Sequence, residues 1–408
     1  MTKYVILCDH ENYNYAIENR IPVSKYYKIL ITENSLLQDR CKDIYNEIYY
    51  FDKLCCKEGY EYIDEIFKNI SRDSTIGGIF ALSERLVEKA SELREVYNVP
   101  YGIRGEAGHI FRDKVAMKDW LKNNSNVKLP RYSVVSSFDD IREFLSGCDS
   151  RCVLKPVDSM GSDGVVFVDT ANCKDYEHYI ERDSRRYEIE QFIDGPMYHV
   201  DSIVYNGTVK MFSVGEYAHS TTECTDLKPL MGFIHSELDR DVLRKIADTN
   251  NEVIAAMPIK EGITHMEVIY NKNDNNVYFI EIAARVIGCG VDFAIANSCQ
   301  KMFIEEAVAA TFGIEPDNIE ETHRKPIGYA IFYKKSGKIV DISKEEELRK
   351  IPEVRDVYIL NKIGDDIRAR HTSGDAIALI TWEAEVDDNN LLATVGERVQ
   401  AEWRLEVE

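Results

Sequence analysis

The feature that most constrains this chain is a change of rhythm near residue 187. Before it, short apolar runs alternate with stretches of helical spacing. After it, the runs follow one another across tight polar turns. Such a switch reads as two kinds of layer within one chain. It predicts an α/β class with α+β lobes: an open α/β layer first, then a mainly antiparallel β region.

In the first part, residues 4–7 and 28–32 are strand candidates. Residues 77–82 are another, running directly into a helix that Ser83 caps, with Leu86, Ala90, Leu93 and Tyr97 on one face and Asn98 and Pro100 closing it. The layer lacks GxGxxG, so a dinucleotide site is not expected there. A second unit starts near Phe111. Asp113 caps a helix carrying Val115, Met117, Trp120 and Leu121, and another helix spans 137–145. Strands at 151–157 and 165–168 enclose a loop of small residues, and a third helix is expected over 174–185. Beyond 187, residues 198–205 and 208–214 flank Asn206-Gly207, a pair that tolerates the left-handed conformations of a two-residue hairpin turn. Residues 264–270 and 277–282 form a second hairpin, and 327–333, 357–360 and 376–382 are further strands. The pattern places an N-terminal domain at 1–110, a central lobe at 111–188 and a C-terminal lobe with a tail subdomain at 189–408.

Length and composition support several lobes around a cleft. The 408 residues are 44% hydrophobic, and a core is no longer single at this size. No uninterrupted apolar run reaches the ~18 residues of a membrane span. The start, MTKYVILCDHENYN, reads as a strand and its loop, not as a signal peptide. Ten cysteines occur without CxxC pairs, as expected of reduced thiols in a cytoplasmic protein and not of a disulfide framework or zinc site. A net charge of −21, spread along the chain, disfavours nucleic acid and anionic membranes as partners. A locally positive nucleotide pocket remains compatible with it.

Three features carry chemistry. In the run from Val153 to Val166, Lys155 sits on an apolar strand before Ser159, Gly161, Ser162 and Gly164. Glycines let backbone N–H groups approach anionic oxygens, serines add donors, and an ammonium offsets phosphate charge. A hairpin with a snorkelling lysine is the plainer reading, and the loop is no Walker A motif. Second, if the turn comprises 272–276, Asn271 pairs with Val277 and Glu267 lies opposite Glu281. Facing carboxylates repel by roughly 0.2–1 kcal/mol even on a wet sheet. A divalent cation such as Mg²⁺, which favours carboxylate oxygens, phosphates and water, would turn that repulsion into a site. A solvent-facing pair bridged to a lysine is the alternative. Third, Arg285 follows Glu281 by four residues and precedes Gly288-Cys289-Gly290. A guanidinium there can hold charge on a transferring phosphoryl group, and the glycines can present backbone donors. An isolated arginine is more often a surface ion-pair partner.

In this order and spacing, these pieces resemble the ATP-grasp superfamily, over residues 77–292. The resemblance implies an ATP-grasp fold with an N-terminal open α/β domain, a central lobe and a C-terminal lobe of mainly antiparallel β structure. It implies ATP and Mg²⁺, with Mn²⁺ as a substitute. Lys114 and Lys155 become phosphate lysines, and Ser159, Gly161, Ser162 and Gly164 a mobile loop over the phosphates. In Glu190-Gln191-Phe192-Ile193-Asp194-Gly195-Pro196, Glu190 and the backbone at Phe192 would meet the adenine edge. His199 becomes a ribose or phosphate neighbour, although a hydrogen bond within the sheet would equally account for it. Glu267 and Glu281 become metal ligands, Arg285 the catalytic and carboxylate-facing arginine, and Gly288 and Gly290 substrate-binding backbone. The implied activity is ADP-forming ligation: a carboxylate, here an amino acid, is activated as an acyl phosphate and joined to an amine.

Two departures stand out. Ala283 stands where many members carry an asparagine ligand, and Met197 where many carry a ribose-gripping acid. Both resemble the branch of L-amino-acid ligases that form dipeptides. A thiol acceptor on a carrier protein, bicarbonate as the acid, or a silent ATP-binding regulator are the rival readings. A homodimer is compatible with the resemblance. His265 shares the strand and side-chain parity of Glu267 and fits a cleft or core position. Glu216 fits a surface acid better than an amine contact. No single role attaches to Asp9, His10, Glu11, Asn12 or Tyr13, in the loop where α/β domains place ligands.

Overall fold

The computed structural model describes residues 1–9, 21–33, 41, 43–148, 151–177, 180, 185–224, 228–237, 240–317, 324–368 and 375–408. His10, Glu11, Asn12 and Tyr13 lie outside these. So does half of the expected helix over 174–185, beside which a 3₁₀ turn at Cys173–Tyr176 is described.

The N-terminal layer is a parallel sheet of β1 (Thr2–Cys8), β2 (Tyr27–Thr32), β3 (Glu47–Tyr50) and β4 (Thr75–Ala81), in the order β3-β2-β1-β4. Helices Lys57–Ile70 and Val87–Val96 cover one face. The other face meets the helix Phe303–Thr311 of the C-terminal part. Gly78 permits that approach, since a Cβ there would stand 2.5 Å from Phe312 Cδ1. Parallel strands covered on both faces explain why these runs are nearly all apolar. Ser83 begins a 3₁₀ turn, Glu84–Leu86, ahead of the expected helix.

The central sheet is antiparallel: β5 (Tyr132–Val135), β6 (Cys152–Pro156), β7 (Val166–Val168) and β8 (Tyr187–Gln191), in the order β5-β8-β6-β7. Helix Phe138–Ser146 packs on it, opened by a capping box in which Ser137 and Asp140 satisfy each other's backbone. The expected boundary at 188 falls inside β8, which pairs throughout with β5 and β6. The change of rhythm at 187 therefore marks a new strand and not a new lobe.

The largest sheet follows. It contains β9 (Met197–Tyr205), β10 (Thr208–Tyr217), β11 (Leu230–Ile234), β12 (Gly262–Asn271), β13 (Asn276–Ala283) and β14 (Ile327–Tyr333). After β15 (Gly337–Ile342) come β16 (Val354–Ile359), β17 (Asp366–Ile367), β18 (Ala376–Glu383) and β19 (Leu405–Val407). The order β13-β12-β9-β10-β11-β14-β18-β16 makes one eight-stranded sheet, and β17-β15-β19 a small one beside it. The Asn206-Gly207 turn is as expected, with φ of 53° and 70°. Sequence periodicity missed the helices Asp241–Ala256, Val291–Cys299 and Asn389–Glu402, which lie on this sheet's faces. Among the described residues, no helix is long and apolar enough to cross a membrane. All ten cysteines are free thiols.

The hairpin of β12 and β13 corrects the expected register in an instructive way. Its turn is one residue tighter, with Asn271 opposite Asn276. A bulge at Ile280 then restores the offset, and Glu267 does stand opposite Glu281.

Candidate active site

A cavity of about 190 Å³ opens between the central sheet and the largest sheet. Lys114, Lys155, Ser159, Gly161, Ser162, Glu190, Phe192, Glu267, Glu281, Arg285 and Gly288 all line it. Gly164, His199 and Gly290 do not.

Lys114 opens the helix Lys114–Asn124, where Asp113 caps by accepting from the N–H groups of Val115 and Ala116 at 2.9 Å. The cap aims the first-turn side chain at the loop. Lys114 Nζ donates to Ser159 O at 2.6 Å and lies 3.2 Å from Glu281 Oε2. One turn on, Lys118 points the same way and is fully buried. It holds Glu188 at 2.7 and 2.9 Å and Glu190 at 2.8 Å. Lys155 Nζ meets Glu190 Oε1 at 2.6 Å from the opposite side. Burial opposes the charge on Lys155, but Glu190 and Glu188 hold its pKa above the usual lysine value. Burial would raise the Glu190 pKa, yet Lys118 and Lys155 draw it down. Glu190 therefore presents a carboxylate already gripped by two ammonium groups, which the single motif did not reveal. Neither Lys118 nor Glu188 was found from sequence. The i,i+4 spacing of Lys114 and Lys118 was the available signal.

The loop over 159–164 turns through left-handed conformations at Gly161 (φ 62°), Ser162 (62°) and Gly164 (72°). Ser162 Oγ donates to Thr221 Oγ1 at 2.9 Å, tying the loop tip to the far wall. Gly164 lies at the root of the loop, where a Cβ would stand 2.8 Å from Pro156 Cγ; its role is to let the chain return. Phe192 meets Phe167 edge to face, centroids 5.8 Å apart, and the Arg151 guanidinium lies 4.1 Å over the Phe192 ring.

Across the cavity, Glu267 Oε1 accepts from the Tyr217 hydroxyl at 3.0 Å. Burial would raise the Glu281 pKa, but Lys114, Lys155 and Arg285 hold it at about 2, so this carboxylate is ionised at any ordinary pH. Arg285 Nε donates to Glu84 Oε2 at 3.0 Å and its Nη1 to Val286 O at 3.0 Å. Glu84 also takes Arg112. This glutamate belongs to the N-terminal layer, just past the end of β4. No motif pointed to it, although the ends of parallel strands are where α/β layers present functional side chains. Gly288 faces open space, whereas Gly290 is the left-handed residue (φ 79°) that starts the helix Val291–Cys299.

His199 is corrected from nucleotide neighbour to core residue. It is fully buried, with Nδ1 2.7 Å from Asp201 Oδ2 and Nε2 3.2 Å from the Tyr329 hydroxyl. Asp201 also takes His265 Nδ1 at 3.0 Å, and His265 does line the cavity. His199, Asp201 and His265 bring possible ligand atoms within 4.8 Å of one another, but the carboxylate is already shared between the two rings. Glu216 points to the opposite face, where it accepts from Asn389 Nδ2 at 2.8 Å.

Residues 111–289 match the family model described as an ATP-grasp domain. No curated protein matches the chain by sequence. Among solved structures, an L-amino acid ligase from Bacillus licheniformis is similar at 19% identity and a TM-score of 0.79, covering 100% of this chain and 99% of that one. Phosphoribosylglycinamide synthetase from Anaerococcus prevotii is similar at 14% identity and a TM-score of 0.71, covering 100% of both chains. The biotin carboxylase domain of Hydrogenobacter thermophilus 2-oxoglutarate carboxylase, solved with MgADP and bicarbonate, is similar at 14% identity and a TM-score of 0.72. That match covers 98% of this chain and 90% of the other.

Proposed function

We propose that this chain, whose residues 111–289 constitute an ATP-grasp domain, is an ATP-dependent ligase that joins an amino-acid carboxylate to an amine and releases ADP and phosphate. The observation that carries the reading is convergence. Lys114 on the helix Lys114–Asn124 and Lys155 on β6 meet Glu267, Glu281 and Arg285 of the hairpin region around one cavity, beneath a glycine loop.

In this reading the adenine lies between Phe192 and the large sheet, its edge on the backbone of 191–193, because both Glu190 oxygens are engaged by lysines. Lys114 and Lys155 take phosphate oxygens, and the 159–164 loop closes over them. The donor set fits a divalent cation: two carboxylates stand in register on adjacent strands, and oxygen ligands suit Mg²⁺. Such an ion would offset phosphate charge there. Arg285 and the backbone at Gly288 hold the substrate carboxylate. A carboxylate oxygen attacks the terminal phosphorus, and the bond to the bridging oxygen breaks as ADP leaves. The amine nitrogen then attacks the acyl carbon, loses a proton, and phosphate departs with the C–O electrons. Closure of the loop excludes water, which would otherwise consume the acyl phosphate.

The test is ADP and phosphate release with Mg²⁺-ATP against amino acids singly and in pairs, beside Glu281→Ala and Arg285→Ala. Release that needs an amino acid and drops at least about 100-fold in both variants is expected. ATP binding without release across the panel would sink the amino-acid reading in favour of a carrier-protein acceptor, another acid or a regulatory role.

A further inference from the structure

The cavity is lined by a polar group, called its waist below, and by two apolar groups, called its ends, each of which clusters separately. The waist is Lys114, Lys155, His265, Glu267, Glu281 and Arg285. One apolar end, at Val153, Phe167 and Phe192, belongs to the central sheet and the adenine reading above. The other is built from Leu230 on β11, Ile287 and Val291 around the turn after Arg285, and Ile331 and Tyr333 on β14. Each of these side chains is at most 7% exposed, and they come from three separate stretches of chain. Among the described residues, no aspartate, glutamate, lysine or arginine lines this end.

We infer that this second end is the subsite for the side chain of the activated acid, and that the acid is one with an uncharged, apolar side chain. The inference rests on the ligase reading and adds the substrate class. Placement supports it: Arg285, Ile287, Ile331 and Tyr333 line one cavity, so an acid held by that guanidinium has this apolar group beside it. A wall of apolar groups facing empty space lacks dispersion partners, which an apolar ligand group supplies. A charged side chain would be desolvated there without a counter-charge. Burying a leucine- or methionine-sized group favours it over a charged one by about ten- to a hundredfold in kcat/KM.

The experiment measures ADP release with Mg²⁺-ATP for the full chain across leucine, methionine, valine and phenylalanine against aspartate, glutamate, lysine and arginine. It is repeated for Ile331→Ala and for Leu230→Glu, with ATP binding followed by calorimetry in every protein. The expected result is release with the apolar set, a shift towards larger apolar acids in Ile331→Ala, and recruitment of lysine or arginine in Leu230→Glu. A wild-type preference for charged acids would overturn the subsite while leaving the ligase intact. ATP binding with no release for any of these acids would overturn the amino-acid ligase reading and this subsite with it. If a variant fails to fold, the wild-type panel alone still decides.

Discussion

Glu84 shows what a single side chain does when it reaches across a cleft. It takes Arg285 on one oxygen and Arg112 on the other, so the arginine proposed to face substrate is oriented from a different layer of the protein. Glu84→Gln keeps the shape and removes the charge. ADP release is expected to slow about tenfold, the scale of a charge-assisted hydrogen bond, while ATP affinity by calorimetry stays constant. An equal loss in ATP affinity would instead make Glu84 a general structural strut. Lys118 is the converse case, fully buried and outside the cavity lining. Lys118→Met leaves Glu188 and Glu190 to Lys155 alone and is expected to cost about 3 kcal/mol in urea unfolding. The double variant with Glu188→Leu should recover part of that loss, because it removes the stranded charge as well.

At the scale of elements, the end of β11 and the helix Asn389–Glu402 are held together by His235. Its Nδ1 lies 3.0 Å from Asp387 Oδ1, and its Nε2 lies 3.4 Å from Glu216 Oε2 on β10. Arg240 reinforces Asp387 at 2.8 Å. Burial opposes protonation of His235, but Asp387 and Glu216 raise its pKa above 6.5. Burial likewise opposes ionisation of the two acids, and His235 draws both below their ordinary values. The sign follows. The histidine's share of stability is complete below pH 6.5 and fades as pH rises through its raised pKa. The acids' share is present above about pH 4.5 and fades as pH falls. Thermal midpoints are therefore expected to peak between those values, and His235→Gln should flatten the alkaline fall. Identical slopes in both proteins would show that the contact contributes nothing to folding. Part of this level was legible in sequence: Asp113 as a cap and Asn206-Gly207 as a turn, because each is chemistry confined to a few adjacent residues. The helix Asp241–Ala256 was not, since Arg240 supplies no side-chain cap to mark its start.

For the whole molecule, the core is divided in a way that predicts motion. Helix Lys114–Asn124 packs with β9, β12 and β13 through Met117 and Leu121, whereas β5 to β8 and the helix Phe138–Ser146 have a small core of their own. Lys114 and Trp120, which donates to Ala256 O at 2.8 Å, stay with the large sheet, and Lys155 belongs to the smaller body. ATP bridging both lysines is expected to draw the small body down and slow hydrogen exchange across 159–164 by at least about tenfold at saturation. Unchanged exchange in that loop, with ATP bound, would argue against a closing lid. The sequence by itself determined the local placement: Lys155, Glu267 and Glu281 lie on strands, Arg285 follows the strand of Glu281, and the two glutamates face each other across one hairpin. It sufficed because strand parity and turn type depend on neighbours within about ten residues. It could not place Glu84 on Arg285, sort His199 into the core while His265 faced the cavity, or reveal the bulge that sets Glu267 against Glu281. Those are contacts between residues distant along the chain, or the outcome of packing the hairpin against its neighbours, and only the folded sheets bring them together.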